Sequence, residues 1–539
     1  MPALQEKPVE HRPATEAEAA AAPAPELPVV ERARTRVAGL NAASALLDYG
    51  CRGLVGLIVT PILVAGLGSS LFGAWQVLNK LVSYMAAADG RPTQALKWLI
   101  ANQQSLDNPE QKRRQIGSAV GVWLLFLPVT LAVGALLVWL APSLAKGAGS
   151  LHPVIRIACA LLVLDFLFGG LAAVPEATLR GMNLGYKRMG IRSILIVLGG
   201  VLTVGAVYLG LGLLGVVAVQ LLVTALTAGV FWQLVRRYVP WFGVERPDGA
   251  EIRSFLGFSS WYFCWTLVNK LLLASDVVLL GALTTAASVT TYVVSGYAAT
   301  MVVDVLTLMV GAAAPGLGGL VGRKEHAAVT VVRSEMLAIS WTIVTAAGFT
   351  ILLWNRSFLS LWVGPAHYAG SWVNLLIVLM MAQLTFIRND TYVIDLTLQL
   401  RAKVLLGAAG VAASLVLALL LVPRLGIAGL CLAMLLGRLV LTFTYPVVVH
   451  RSLGCAHRLN PGGVLRPLLI AACFYAGGWY FGQQLLVVNW LVWGLGAGAT
   501  FAVVLLAAPL LGLPSGLRDS LLQRAWKLTR VRAGLAPPG

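Results

Sequence analysis

Charge is scarce in this chain. Only 12% of its 539 residues are Asp, Glu, Lys or Arg, about half of the ~25% usual in soluble domains. A water-facing surface for a globule of this size is therefore missing. Catalytic signatures are missing too. The stretch Gly316–Lys324 (GLGGLVGRK) lacks the spacing and the hydroxyl residue of GxxxxGK[ST], which excludes a P-loop NTPase. There is no HExxH, GxSxG or EF-hand loop. His11, His152, His326, His367, His450 and His457 are scattered over tail and loops, leaving no nucleophile–base constellation. The six cysteines (Cys51, Cys159, Cys264, Cys431, Cys455, Cys473) show no CxxC spacing and lie mostly in or beside apolar runs, where they read as small apolar residues rather than as metal ligands or disulfides. Met1–Pro28 has neither a basic start nor a continuous apolar core, so it does not read as a secretory signal. No cofactor is expected, and no enzymatic activity.

What is present is apolar. Hydrophobic residues make up 58% of the chain and the mean hydropathy is +0.82. Runs such as Val122–Leu140 and Leu405–Leu421 are long enough to cross a ~30 Å hydrocarbon core as helices. They lack the ten-residue alternation of a membrane barrel, so the expectation is an all-α polytopic membrane protein with about fourteen transmembrane helices. The spans fall near 43–66, 71–89, 117–141, 153–175, 191–210, 213–234, 257–281, 288–313, 331–353, 371–394, 403–422, 427–449, 466–484 and 488–511.

Charge placement tests this map. Loops on one side hold Arg91, Lys97, Lys112, Arg113 and Arg114, then Arg180, Lys187, Arg188 and Arg192, then Arg236, Arg237, Arg246 and Arg253. Later loops on that side hold Arg323, Lys324, Arg333, Arg388, Arg401, Lys403, Arg451, Arg458 and Arg466, whereas the opposite loops offer Lys146, Arg156, Arg356 and Arg424. The positive-inside rule makes the basic side cytoplasmic and puts both termini there. It also accounts for the formal net charge of +18 without a nucleic-acid partner.

An internal repeat divides the spans. Leu211-Gly-Leu-Leu-Gly215 matches Leu425-Gly-Ile-Ala-Gly429, Val64-Ala-Gly-Leu67 resembles Leu280-Gly-Ala-Leu283, and Tyr186-Lys-Arg-Met189 falls opposite Arg401-Ala-Lys-Val404. All three pairs share an offset near 215 residues. Six spans per unit is even, so the halves have parallel topology about an axis along the membrane normal. The expected organisation is a disordered cytoplasmic tail (1–38), an N-terminal six-helix lobe (39–240), a C-terminal six-helix lobe (241–450), an added helix pair (451–513) and a basic amphipathic cytoplasmic tail (514–539). Within that tail, residues 515–532 read as a basic helix lying on the bilayer.

Ionisable residues deep in a span usually face a cavity or a partner. Span 1 carries Asp48 and Arg52, one turn apart on the same face. Lys80 lies in span 2, Lys270 and Asp276 in span 7, and Asp304 in span 8. Asp165 and Arg438 sit in spans 4 and 12. One reading has Arg52, Lys80 and Lys270 lining a cationic cavity for an anionic head group, with Asp48, Asp276 or Asp304 coupling transport to H⁺ or Na⁺. The other has Asp48–Arg52 and Asp276–Lys270 as ion pairs that neutralise each other.

Several segments resemble the polysaccharide flippases, the Wzx-type O-antigen and exopolysaccharide exporters of the multidrug/oligosaccharidyl-lipid/polysaccharide (MOP) superfamily. Thr60-Pro61 through Leu67-Gly68, then Phe72-Gly73-Ala74-Trp75, is similar to that family's first hairpin. Asp276-Val-Val-Leu-Leu-Gly281 followed by Tyr292 resembles its seventh-helix segment, and Pro315 with Pro423-Arg-Leu-Gly426-Ile-Ala-Gly429 fits its later turns. The resemblance implies two lobes around a cationic cavity and an undecaprenyl-diphosphate-linked oligosaccharide as substrate. It also implies that 466–511 forms a groove for the prenyl tail, and that the protein sits in a bacterial inner membrane beside polymerase or export machinery. A multidrug or organic-ion antiporter of the same superfamily is the alternative. A polymerase or glycosyltransferase of the same pathway would need a large outside loop, and the sequence has none.

Overall fold

Long unbroken apolar stretches leave each backbone polar group no partner but its own helix, and the chain is helical along nearly all of its described length. The computed structural model describes residues 29–89, 92–102, 108–146, 149–188, 190–397, 399–454 and 461–520. Fifteen α-helices and no strands are found among them. The first half of the chain contains α1 (Val29–Tyr84), α2 (Pro92–Asn102), α3 (Pro109–Ala145), α4 (His152–Gly181), α5 (Ile191–Tyr208) and α6 (Gly212–Tyr238). Next come α7 (Gly249–Leu283), α8 (Ala286–Ser295), α9 (Tyr297–Gly322), α10 (His326–Trp362), α11 (Ser371–Leu396), α12 (Leu400–Gly437) and α13 (Leu439–Ser452). A final pair, α14 (Pro461–Gln484) and α15 (Trp490–Gly512), completes the chain. The polytopic all-α expectation holds.

Ten helical stretches are long and apolar enough to cross a membrane, or twelve if the bent pairs Thr266–Leu272 with Ser275–Leu283 and Ala286–Ser295 with Tyr297–Gly311 each count as a span. Two of the ten are far too long for a single passage: Leu46–Ala87 has 42 residues and Leu400–Ser452 has 53, against the ~20 that a bilayer needs. Both fold back on themselves. In α12 and α13, Gly429 packs against the Leu421 carbonyl, Gly437 against Ser414, and Gly410 against Leu441, while the Tyr445 hydroxyl donates to the Lys403 carbonyl at 3.2 Å. That register is an antiparallel hairpin turning at Gly426, whose φ is 56°. In α1 the reversal is at Gly68 (φ 73°, ψ 164°). Before it, Val55 and Val207 meet Gly200 and Gly66, so the first limb runs parallel to α5. After it, Met85 meets Gly134 and the Thr130 hydroxyl donates to the Ala88 carbonyl, so the second limb runs antiparallel to α3. With both reversals counted, the fourteen expected passages are present.

The repeat read from the sequence has a conformational counterpart. Gly212 and Gly426 occupy matching places in the two halves, and both are left-handed, with φ of 57° and 56°. A side chain is disfavoured there, which is why glycine recurs at the turn.

Two expectations need amendment. The first helix begins at Val29, inside the segment expected as tail; residues 1–28 lie outside the described residues. Of the basic C-terminal amphipathic segment, 515–520 is helical and 521–539 lies outside the described residues.

The terminal pair docks on α10 through small residues. Gly348 receives the Tyr475 ring, Gly478 and Gly482 lie against the backbone carbonyls of Phe349 and Leu352, and Gly496 and Gly512 receive the rings of Trp354 and Trp341. Close helix approach through glycine is a general device of membrane interiors, where dispersion rather than hydrophobic exclusion drives association. Polar ties add to it: the Tyr475 hydroxyl donates to the Val344 carbonyl at 3.0 Å, and the Trp354 indole to the Thr500 hydroxyl at 3.0 Å.

Candidate functional site

The two lobes meet along the first limb of α1, with α8 and α9 facing it. At the end of the bundle carrying Gly68 the meeting is tight. The Trp362 indole donates to the Leu57 carbonyl at 2.6 Å, and the Thr290 hydroxyl donates to the Ser69 carbonyl at 2.6 Å. The Ser69 hydroxyl lies 3.2 Å from His367 Nε2. Gly73 lies against the Ala286 carbonyl, where any side chain would collide. Around them Leu63, Val64, Leu67, Phe72, Val294 and Phe358 form one apolar cluster spanning both lobes.

Towards the opposite, basic end, the Tyr49 hydroxyl donates to the Met301 carbonyl at 3.2 Å and the Tyr297 hydroxyl to the Gly53 carbonyl at 3.3 Å. One turn beyond Met301 on α9 stands Asp304, with 46% of its side chain exposed. Three cations act on it: Arg388 from α11, Lys80 from the second limb of α1, and Arg52 from the first. Arg388 Nη1 is 3.9 Å from the Asp304 carboxylate and donates to the Thr307 hydroxyl at 2.5 Å. A half-exposed carboxylate among cations from both lobes marks a polar, water-reachable place inside an otherwise apolar bundle.

The six candidate residues thus separate. Arg52 and Lys80 lie within electrostatic reach of Asp304 across the lobe interface. Lys270 lies on α7, half-buried, two residues before the end of that helix's first straight stretch. Asp48 is buried in the N-terminal lobe, 3.9 Å from Arg192 and accepting from the Ser193 hydroxyl at 3.2 Å. Asp276 accepts from the Tyr292 hydroxyl and from the Val277 backbone amide, both at 2.8 Å. Beside it, Arg438 stands where α12 gives way to α13 and donates to the Leu272 carbonyl at 2.8 Å, next to the bend of α7. The bent helix releases that carbonyl from its own ladder, and the guanidinium takes it up.

Sequence reasoning placed three cations in loops that belong elsewhere. Arg388 lies inside α11 and faces Asp304; its neighbours Asn389 and Asp390, also polar within an apolar run, were the available signal. Lys403 has a fully buried side chain paired with Asp395 at 2.5 Å, and Lys112 is 5% exposed. Counting charges per loop cannot see such depth.

Each lobe also contains a cavity beside a carboxylate–arginine pair. In the N-terminal lobe a cavity of about 260 Å³ lies among α4, α5, α6 and Arg52. Its charged end is Glu176, which accepts from Arg192 and Arg180, both at 2.6 Å. In the C-terminal lobe a smaller cavity of about 170 Å³ lies among α10, α11 and α13. There Arg333 meets Asp390 at 2.5 Å. No cluster of three or more metal-ligating side chains occurs among the described residues.

This architecture is similar to that of solved membrane transporters of the MOP superfamily. The chain aligns over 86% of its length with 97% of a lipid II flippase MurJ in an inward closed conformation (TM-score 0.63, 11% identity). It covers 95% of an outward-facing multidrug resistance MATE family transporter of the MOP superfamily (TM-score 0.55, 14% identity, 78% of this chain). A MOP superfamily transporter from Pyrococcus furiosus, described as having a binding pocket of reversed polarity, matches likewise (TM-score 0.56, 14% identity, 78% of this chain and 95% of that one). Residues 109–355 match the family model described as polysaccharide biosynthesis protein. The resemblance to polysaccharide flippases of the MOP superfamily, read from the hairpin motifs, is borne out. No curated protein sequence matches the chain.

Proposed function

We propose that this protein carries an undecaprenyl-diphosphate-linked oligosaccharide across a bacterial cytoplasmic membrane, from the basic face to the other, by alternating access between lobes 39–240 and 241–450. The observation that carries the proposal is Arg388 standing 3.9 Å from the half-exposed Asp304 near the lobe interface, with Arg52 and Lys80 of the other lobe within electrostatic reach of the same carboxylate. A diphosphate needs positive charge at mid-depth, where an unpaired anion is otherwise costly. Asp304 stands in for that anion in the empty carrier. Lys270 supplies a further cation from α7. In this reading the basic face, with both termini, is cytoplasmic, and the lobe contacts at the Gly68 end close the opposite side.

The prenyl tail needs no polar site and stays in lipid, along the surface where α14 and α15 rest on α10. Asp48, Asp276 and Asp304 remain the candidates for coupling to H⁺ or Na⁺, Asp304 first because its side chain is 46% exposed beside Arg388, whereas Asp48 is buried and Asp276 is held by the Tyr292 hydroxyl. The product would pass to polymerase or export machinery. A multidrug antiporter fits less well, because the interface cluster is net cationic and the matched family model describes polysaccharide biosynthesis.

The test is surface glycan in a deletion strain complemented with Arg52→Ala, Lys80→Ala, Arg388→Ala or Lys270→Ala, with membrane insertion checked by fractionation. Loss of surface glycan from inserted protein is expected. Normal export in all four would defeat the proposal.

A further inference from the structure

The two lobe cavities share part of their lining in the repeat, α4 and α6 in one half corresponding to α11 and α13 in the other, while the remaining walls differ: α1 and α5 in the first, α10 in the second. Thr227 and Thr442 line the two cavities and are 215 positions apart; so are Ala172 and Ile387, and Phe231 and Pro446. Glu176 and Asp390 stand within one residue of the same spacing, and each carries an arginine partner. The lobes have nevertheless diverged on one wall. Gly169, Ala172 and Ala173 line the N-terminal cavity, and the positions 215 further along are Leu384, Ile387 and Arg388. Larger side chains stand at these positions in the C-terminal lobe, whose cavity is the smaller of the two, about 170 Å³ against about 260 Å³.

Arg52 joins the N-terminal cavity to the interface. It lines the cavity and is one of the cations acting on Asp304. The corresponding position in the other half is Leu267. The N-terminal cavity therefore shares Arg52 with the set of cations in electrostatic reach of Asp304.

Its lining is of two kinds. Leu195, Ile196, Val223 and Phe231 contribute apolar surface, and Glu176, Arg192, Thr224 and Thr227 contribute hydrogen-bonding groups among them. The Thr227 hydroxyl donates to the Val223 carbonyl at 2.7 Å, so its oxygen is left to accept. A carboxylate and a guanidinium side by side in a lining that also offers apolar surface suit a ring with hydroxyls at its edge and C–H groups on its face. At ~30 Å³ per water, 260 Å³ equals the share of nearly nine waters. That is room for one hexose, and it falls short of the ~300–1,000 Å³ typical of drug-sized ligands.

We infer that the cavity among α4, α5 and α6 is a sugar subsite, which seats the first hexose of the glycan while Arg52 holds the adjoining diphosphate. The inference rests on the transport reading above and adds to it where selectivity for the glycan is set. Binding of two probes to the purified full-length protein in nanodiscs tests it: undecaprenyl diphosphate alone, and undecaprenyl diphosphate bearing one hexose. The native protein should prefer the sugar-bearing probe by about tenfold, the effect of one or two hydrogen bonds to a neutral partner.

Ala173→Phe, which fills the cavity, should bring that preference close to one. Thr227→Val should lower it several-fold and carries the test if the bulkier variant fails to fold. Thr442→Val, at the equivalent position of the C-terminal cavity, should leave the preference intact. An undiminished preference in both Ala173→Phe and Thr227→Val, or an equal loss in Thr442→Val, overturns the subsite. Arg52→Ala separates the two readings, since it should weaken both probes. Unchanged affinity for the bare diphosphate in that variant would sink the transport reading instead.

Discussion

The two lobes share a repeat and differ in how deeply they are packed. In the N-terminal lobe, 17–28% of each span's most apolar stretch is buried; in α10, α11 and the α12–α13 hairpin the figures are 61%, 44% and 33%. Part of the difference comes from α14 and α15, which cover α10 and have no counterpart on the other lobe. The rest comes from the interior: bulky Leu384 and Ile387 stand where the N-terminal lobe has Gly169 and Ala172. The C-terminal half is thus the more buried and braced of the two, and the N-terminal half holds the larger cavity. Ligand sites need unfilled space, so the N-terminal half is the one placed to select.

This contrast can be broken most sharply at the matched ion pairs. Asp390 and Arg333 have side chains only 7% and 12% exposed, and removing one member of so buried a pair costs ~3–5 kcal/mol. Asp390→Ala should therefore lower the melting temperature of the purified protein more than any other change considered. The matched Glu176→Gln acts on a wetter site, with Glu176 and Arg192 at 18% and 26%. A loss of about 1 kcal/mol or less is expected there once solvent screening is allowed for. Equal destabilisation by the two would erase the distinction between the braced lobe and the one with the larger cavity.

Next in size is Gly482→Ala. A methyl group there would strike the Leu352 carbonyl, and overpacking of this kind costs ~1–3 kcal/mol. The loss should appear as protease sensitivity of the loop between α13 and α14, with the six-helix lobes still inserted. Uniform destabilisation of the whole chain would show that the pair is integral to the C-terminal lobe rather than a brace upon it.

The smallest effect should come from Trp362→Phe, which removes the hydrogen bond to the Leu57 carbonyl while keeping an aromatic ring. At ~1 kcal/mol, about fivefold in an equilibrium, it should raise the labelling rate of a cysteine introduced at Ser69 in a background without native cysteines. No change in rate would mean that the apolar cluster alone closes the Gly68 end.

Most of the fold was legible in the sequence, because one force decides it: a backbone in hydrocarbon must satisfy itself, and apolar runs between glycine turns state the result directly. The repeat was legible for the same reason at Gly212 and Gly426, where only glycine adopts the required φ cheaply. The site was legible in part. Arg52, Lys80 and Asp304 announced themselves as charges in apolar segments, and the structure sets the two cations within electrostatic reach of the carboxylate. Arg388 was passed over because its position near a span end made it resemble a loop cation. Asp48 and Arg52, one turn apart, looked like a pair, yet the carboxylate reaches Arg192, which is distant in sequence and unreadable from helical spacing. The cavity residues escaped altogether: a void is defined by side chains that are absent, and Gly169, Ala172 and Ala173 are unremarkable among so many small residues. Only comparing the halves position by position brings it out.

The seating of α14 and α15 on α10 has a mechanical consequence. They are fastened to one lobe, chiefly to α10 by glycine contacts and hydrogen bonds and also to α11 through Trp479 against Trp372, so they would ride with that lobe in any rocking motion. A lipid chain lying along them would be towed by the same motion that turns the charged head group over. Polar and oily ends of one long molecule would then advance in step, though separate parts of the protein hold them.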